Sequence, residues 1–270
     1  MITTPLFEID PQQIHVAPIP SFEVVALQKG MSRAVWRPYG RRLAFKIKHE
    51  KSLLGIVLLT NPVITLGVRD RAMDFPTDAR QRGTVLRRYA DMSICVAAQP
   101  IGWYWNLGKL AAVMATTLGD EWEQAYGDPL LGIFTTSLWG AKWSGKGTQY
   151  SKIYKYLGLT KGFGHEHVPE DEYQHMLRWM RTHHIKIPGS SFADPSNPRM
   201  RRILAYRKAS GDPTATVFHG HQRGVYSCPA RPTSERPLVI KEWYERWGLP
   251  RYLRLRDQTA PYQSGLEVAS

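Results

Sequence analysis

The chain has 270 residues, 43% of them hydrophobic, which allows a sizeable core and excludes a disordered polymer. Its 36 Lys and Arg outnumber 23 Asp and Glu for a net charge of +13, with most of the excess in residues 141–270; this favours a polyanionic partner, nucleic acid ahead of an anionic membrane. Two cysteines without a CxxC pair argue against a zinc site, and no apolar run reaches the roughly 18 residues of a membrane span.

Residues 1–28 read as an extended N-terminal arm, with four prolines in the first twenty and no basic-then-apolar leader pattern, so a cytoplasmic protein is expected. A basic stretch follows over 29–51: Lys29, Arg33, Arg37, Arg41, Arg42, Lys46, Lys48 and Lys51 stand against Glu50 alone, with Trp36, Tyr39 and Phe45 interleaved. That mixture suits phosphate contact, with Arg37, Arg41 and Arg42 as leading candidates. LAFKIKHE alternates like a half-exposed strand, and LLGIVLL reads as a buried one. Val63 to Val68, across Asn61-Pro62, is predicted as a neighbouring strand, and 70–90 as an Arg-rich helix or loop.

The segment from Asp91 to Gly164 carries the strongest signal. ICVAAQP is an apolar strand running into GWYWNLGKLAAVMATTL, a helix predicted over 106–118 with Asn106 as its cap and Gly119 as its stop. A strand that enters a helix start presents backbone amides able to hold a phosphate or carboxylate. A further helical turn, Glu121 to Tyr126, ends at Gly127-Asp128-Pro129. The strand LLGIFTTSL follows, and WSGKGTQYSKIYKYLGLTKGFG is predicted as a loop, a short helix and a glycine-rich exit. VPEDEYQHMLRWMRTHH is a helix with acids at its start and basic residues at its end.

The remainder, 186–270, reads as a basic C-terminal extension packed on a core of 29–185. RMRRILAYRKAS is a basic helix in which Arg201 and Arg202, like Lys146 earlier, are candidate phosphate contacts. ATVFHGHQRGVY alternates like a strand, which places His219 and His221 on one face with Arg223 close by. Two histidines are too few for a metal site, so hydrogen-bonding or surface roles rank first and no metal ligand is assigned. PLVIKEWYERWG is a short amphipathic helix, and the last twenty residues read as loosely ordered.

The series LLGIVLL, SICVAAQPIGWYWNLGKLAAVM, W(x3)YGDPLLGIFTTSLWG and GTQYSKIYKYLGLTKGFG resembles the acyl-CoA N-acyltransferase (GNAT-like) fold. Within it, the pattern is similar to the DruA-type family of anti-phage defence proteins and to bacteriophage Mom-type DNA-modification proteins. The DruA-like features are Glu121-Trp122, Tyr126-Gly127, Thr135-Thr136, Gly147-Thr148-Gln149-Tyr150 and Gly158-Leu159-Thr160-Lys161-Gly162, over about 120 residues in the middle of the chain. The resemblance implies an α/β fold, a GNAT-like mixed central sheet flanked by helices, in which strands 91–98 and 130–136 splay apart as a donor cleft.

It also implies a transferase that places an acyl-type group on an exocyclic base amine of double-stranded DNA, adenine first, in a bacterial or phage-infected cell. The donor would be an acyl-CoA or an aminoacyl ester, the latter with tRNA as its carrier. Gln99, Gly102, Asn106, Gly108 and Lys109 correspond to the donor-binding turn, although Tyr104 replaces the second small residue of the acyltransferase pattern. Tyr150 and Tyr154 fall where such enzymes place the leaving-group acid, and Ser137 is a third candidate for catalysis. A base drawn out of its stack needs aromatic and polar receivers. Trp103, Trp105 and Trp139, with Trp143, supply the indoles, and Thr135 and Thr136 end a strand beside them. His219, His221 and Arg223 complete the candidate substrate contacts. The competing readings are a catalytically silent nucleic-acid-binding defence protein of the DruA type, favoured by Tyr104, and an acyltransferase acting on protein or a small molecule.

Overall fold

The computed structural model describes residues 7–20, 23–24, 26–27, 40–137, 150, 152–160, 168, 170–188, 198–211 and 222–264. One seven-stranded mixed sheet organises them, in the order β1-β2-β3-β4-β5-β7-β6. β1 (Ile14–Pro18), β2 (Arg42–His49), β3 (Ser52–Thr60) and β4 (Tyr89–Ala97) pair antiparallel in sequence. Ile14–Pro18, inside the expected arm, is thus an edge strand. β3 is buried from Leu54 to Thr60, as its unbroken apolar run requires. Its alternate side chains feed two cores: Val57 and Leu59 on one face, Ile56 and Leu58 on the other.

β5 (Gly132–Ser137) runs parallel to β4, and β7 (Gly224–Pro229) separates it from β6 (Lys155–Leu159). The segment expected to pack on the core as an extension therefore supplies a strand to the sheet itself. β4 and β5 pair only at Tyr89↔Gly132, Ala90↔Ile133 and Asp91↔Phe134. Beyond that point β4 stays with β3 as far as Ala97, while β5 stays with β7 as far as Ser137. The two strands part into a wedge.

Several elements differ from expectation. Val63 to Val68 is not a strand: residues 61–66 are a loop leading into α1 (Gly67–Ala72). The buried Arg69 takes the carbonyls of Val63 and Ile64, and the buried Arg82, on α2 (Ala79–Leu86), also donates to Ile64. Those acceptors are lost to any ladder. The helix predicted over 106–118 is two helices, α3 (Ile101–Trp105) and α4 (Leu107–Ala115). Asn106 between them is left-handed (φ 56) and makes no side-chain cap. Gly119 opens α5 (Gly119–Tyr126) rather than closing a helix, and Gly127 ends it with φ 71. Within the stretch from Trp143 to Gly164, where a short helix carrying Tyr150 and Tyr154 is predicted, residues 155–159 instead form β6, because pairing with β7 outweighs local propensity.

α6 (Glu170–Thr182) and α7 (Pro198–Ser210) form a helical pair over their own small core of Tyr173, Met176, Leu177 and Ile203. α8 (Arg236–Trp243) continues through a π-helical turn, Tyr244–Gly248, into α9 (Leu249–Ser264), where a loose tail was expected. Val239, Ile240, Trp243 and Tyr252 from this run join the main core, which explains why α4 is buried on nearly every side rather than along one stripe.

Candidate functional site

The narrow end of the wedge is closed by side chains. Thr135, buried on β5, donates its hydroxyl to the Met92 carbonyl of β4 at 3.1 Å. Tyr154 donates to the Ala112 carbonyl of α4 at 3.1 Å, and the edge of its ring meets buried Tyr150 at 5.6 Å. Burial raises the Tyr154 phenol well above its ordinary pKa, with Cys228, Cys95 and Tyr150 adding to the effect. Its proton is held by a helix carbonyl. The Cys95 thiol is pushed up to about 12 by burial, which keeps it protonated and inert. No disulfide joins the two cysteines. Thr136 and Ser137 are half-buried at the end of β5. On the opposite face Asp91, at the last paired rung, is raised to about 6, chiefly by desolvation and against the charge of Arg69.

The turn from β4 into α3 does not fit a coenzyme A pyrophosphate. A Cβ at Gly102 would lie 2.8 Å from the Ala97 Cβ and 3.0 Å from the Gln99 amide nitrogen, so the space beside it is already filled by this chain. The Gly102 amide is bonded to Ala98 O at 2.7 Å and that of Trp103 to Pro100 O at 3.1 Å. Asn106 O accepts from Lys109 N and from the Trp243 indole, and Gly108 O faces the Cys95 thiol at 3.8 Å. Of the expected donor residues, only Lys109 offers a side chain of the right charge.

Cations and aromatic rings gather instead where α3 and α4 meet the C-terminal helices. Trp103 is 53% exposed, with the Arg251 guanidinium 5.1 Å from its ring centroid and Tyr104 edge-on at 5.2 Å. Arg251 Nε also donates to the Trp103 carbonyl. Burial, then the charge of Arg254, lowers the Arg251 pKa. One turn earlier, Lys109 lies 5.1 Å and Arg246 4.8 Å from the Trp247 centroid. Lys109 is lowered to about 8 by desolvation, then by the charges of Lys152 and Arg246. Lys152, Arg246, Trp247 and Arg251 were missed from sequence. For Arg251 the available signal was RYLRLR, whose spacing turns Tyr252 and Leu255 inward and leaves the arginines outward.

The other expected contacts are scattered. Trp105 is a core residue, 2% exposed, stacked on Tyr252 at 4.2 Å with its indole N–H donated to Phe7 O at 2.6 Å, so it does not face a substrate. Arg41 is held internally by Asn61, Asp128 and the Arg87 carbonyl, over the rings of Trp122 and Tyr126. Arg202 bonds Pro188 O and the Tyr173 hydroxyl, binding α7 to α6. Arg201 is half-buried, while Arg42 and Arg223 are exposed. Arg37, Trp139, Lys146, His219 and His221 lie outside the described residues, as does Trp143. Among the described residues no group of three or more His, Cys, Asp or Glu is placed to hold a metal, and no helix is long and apolar enough to cross a membrane.

A family profile described as Druantia protein DruA matches residues 22–239, from before β2 into α8. A Druantia protein DruA of Escherichia coli (strain UMEA 4076-1) is 29% identical over 257 residues, covering 80% of this chain. The chain spans 62% of that relative's length. The profile covers the divergent β4–β5 pair, the α3–α4 turn and the inserted β7, and the chain belongs to the DruA family.

Proposed function

We propose that this protein is a defence-associated, DNA-binding member of the DruA family that engages its partner through the Trp103–Arg251–Arg254 face. The observation that carries this reading is the exposed Trp103 indole with a guanidinium over it, on a chain of net charge +13. An indole face receives any base, and neighbouring arginines neutralise phosphate. Fluorescence anisotropy with labelled duplex and single-stranded DNA tests it. Trp103→Ala and Arg251→Ala should each weaken binding by ~10-fold, in line with the loss of ~1–3 kcal/mol of stacking. Salt-insensitive binding, or none at low salt, sinks the reading.

A second reading, a GNAT-like transferase that modifies a DNA base, is favoured by the parting of β4 from β5 after Asp91 and Phe134. The filled turn at Gly102 speaks against an acyl-CoA held there, leaving an aminoacyl ester, with tRNA as its source, as the donor to test. Mass spectrometry of nucleosides from cells expressing the protein decides it: a new base supports the transfer, and an unchanged profile removes it.

A further inference from the structure

We infer that the Trp103 face takes its nucleic acid single-stranded, stacking an unpaired base on the indole while Arg251 and Arg254 meet the flanking phosphates. This rests on the DNA-binding reading of the same face and names the strand state that the face selects. Trp105, two residues further on, shows how an indole of this segment serves the core: it is 2% exposed and stacked on Tyr252 at 4.2 Å. Trp103 is instead 53% exposed, so its ring retains surface for a ligand. The ring is also held in place. Arg251 Nε donates to the Trp103 carbonyl, its guanidinium lies 5.1 Å from the ring centroid, and Tyr104 meets the indole edge-on at 5.2 Å. Beneath it, the Trp105–Tyr252 stack fixes α3 to α9. An aromatic platform fixed before its ligand arrives loses little freedom on binding.

The chemistry of the face selects the strand state. Inside a duplex each base is covered on both sides by its neighbours, and the grooves present base edges, which are read by hydrogen-bonding side chains. An indole face has nothing to offer an edge, but it receives any base that has left the stack. α3, which carries Trp103, is five residues long, too short for the three or four base-reading side chains of a recognition helix. The charges around the ring suit a single backbone. Arg251 and Arg254 stand three residues apart on α9, hence on one side of it. Among the described residues neither is ion-paired with a carboxylate, whereas Arg256 on the same helix is paired with Asp257 at 3.1 Å. Guanidinium groups beside the ring are thereby available to phosphate oxygens.

Fluorescence anisotropy of the full chain at low salt, with probes of equal length, tests it. The probes are oligo-dT, the same strand carrying a run of abasic sites, and a blunt duplex. Oligo-dT should bind about 10-fold tighter than either the abasic strand, which keeps the phosphates and lacks the bases, or the duplex. Trp103→Ala should bring oligo-dT down to the level of the abasic strand and leave abasic binding unchanged, whereas Trp103→Phe, which still stacks, should keep most of the difference. Arg254→Ala should weaken intact and abasic strands alike and lower the salt slope by about 0.7. Lys241→Ala, an exposed lysine of α8, should change each affinity by less than about twofold. A duplex bound as tightly as oligo-dT, or an abasic strand bound as tightly as the intact one, overturns the single-strand inference. If Trp103→Ala still weakens duplex binding in that case, the DNA reading of the face stands. Failure of every probe to bind overturns both.

Discussion

At the scale of single residues, desolvation decides which titratable groups respond to pH. Asp91 has a folded pKa raised to about 6 from 3.8, because partial burial costs more than Arg69 and the Val63 amide return. Its contribution to stability is complete below the unfolded value and is lost as pH rises through about 6, where the native carboxyl must ionise against its surroundings. Asp91→Asn keeps an acceptor for the Val63 amide without the charge. Thermal melts should show this variant ~2–4 °C more stable at neutral pH, with the difference gone below about pH 4. Lys109 has the opposite sign. Its ammonium gives up its charge as pH passes about 8, which the unfolded chain does only near 10.5, so its contribution to stability should rise with pH between the two. Lys109→Arg, cationic throughout, should remove that rise in thermal melts taken between about pH 8 and 10. The sequence marked Lys109 as a candidate; the charges that tune it come from Lys152 and Arg246, far along the chain.

At the scale of elements, the break at Asn106 positions both Trp103 and Lys109. Asparagine tolerates the left-handed backbone that separates α3 from α4. Asn106→Gly should leave the melting temperature nearly unchanged, while Asn106→Val should cost about 1–2 kcal/mol of stability in chemical denaturation. A straight helix would place Trp105 and Lys109 on neighbouring turns. The break lets Trp105 enter the core against Tyr252 while Lys109 faces Trp247. Local pattern read these elements unevenly. The helix from Glu170 and the buried strand at LLGIVLL were legible because acids at a helix start and an unbroken apolar run each have one structural meaning. β6 was not, because KYLGL acquires strand geometry only by pairing with β7, about seventy residues later.

Across the whole molecule, the positive charge becomes useful only where folding leaves it exposed. Arg69 and Arg82 are buried against carbonyls, and the half-buried Arg41 and Arg202 are tied to a carboxylate and a carbonyl, so these four add to net charge with their guanidinium groups already engaged. In the proposed DNA-binding reading, the arginines after Trp243 carry the interface instead. The slope of log affinity against log salt should be steep for the intact protein. In Arg251→Ala it should decrease by about 0.7–0.9, one phosphate contact, whereas Lys241→Ala should leave it unaltered. Anisotropy titrations at several salt concentrations check both slopes. A slope unchanged by Arg251→Ala would return the interface to the residues of the 29–51 stretch.

The sequence by itself determined the mixed α/β class, the apolar strands on either side of the α3–α4 turn, the positive balance and the resemblance to the DruA family. The first three follow from composition and short-range periodicity and the resemblance from a series of short motifs in order, all of which are readable without knowledge of contacts. Only the tertiary structure decided that β7 enters the sheet, that Trp105 is core while Trp103 is surface, and that Lys109 and Arg246 share the Trp247 ring. Which face a side chain shows depends on neighbours distant in the chain, and that information is created by packing rather than by local pattern.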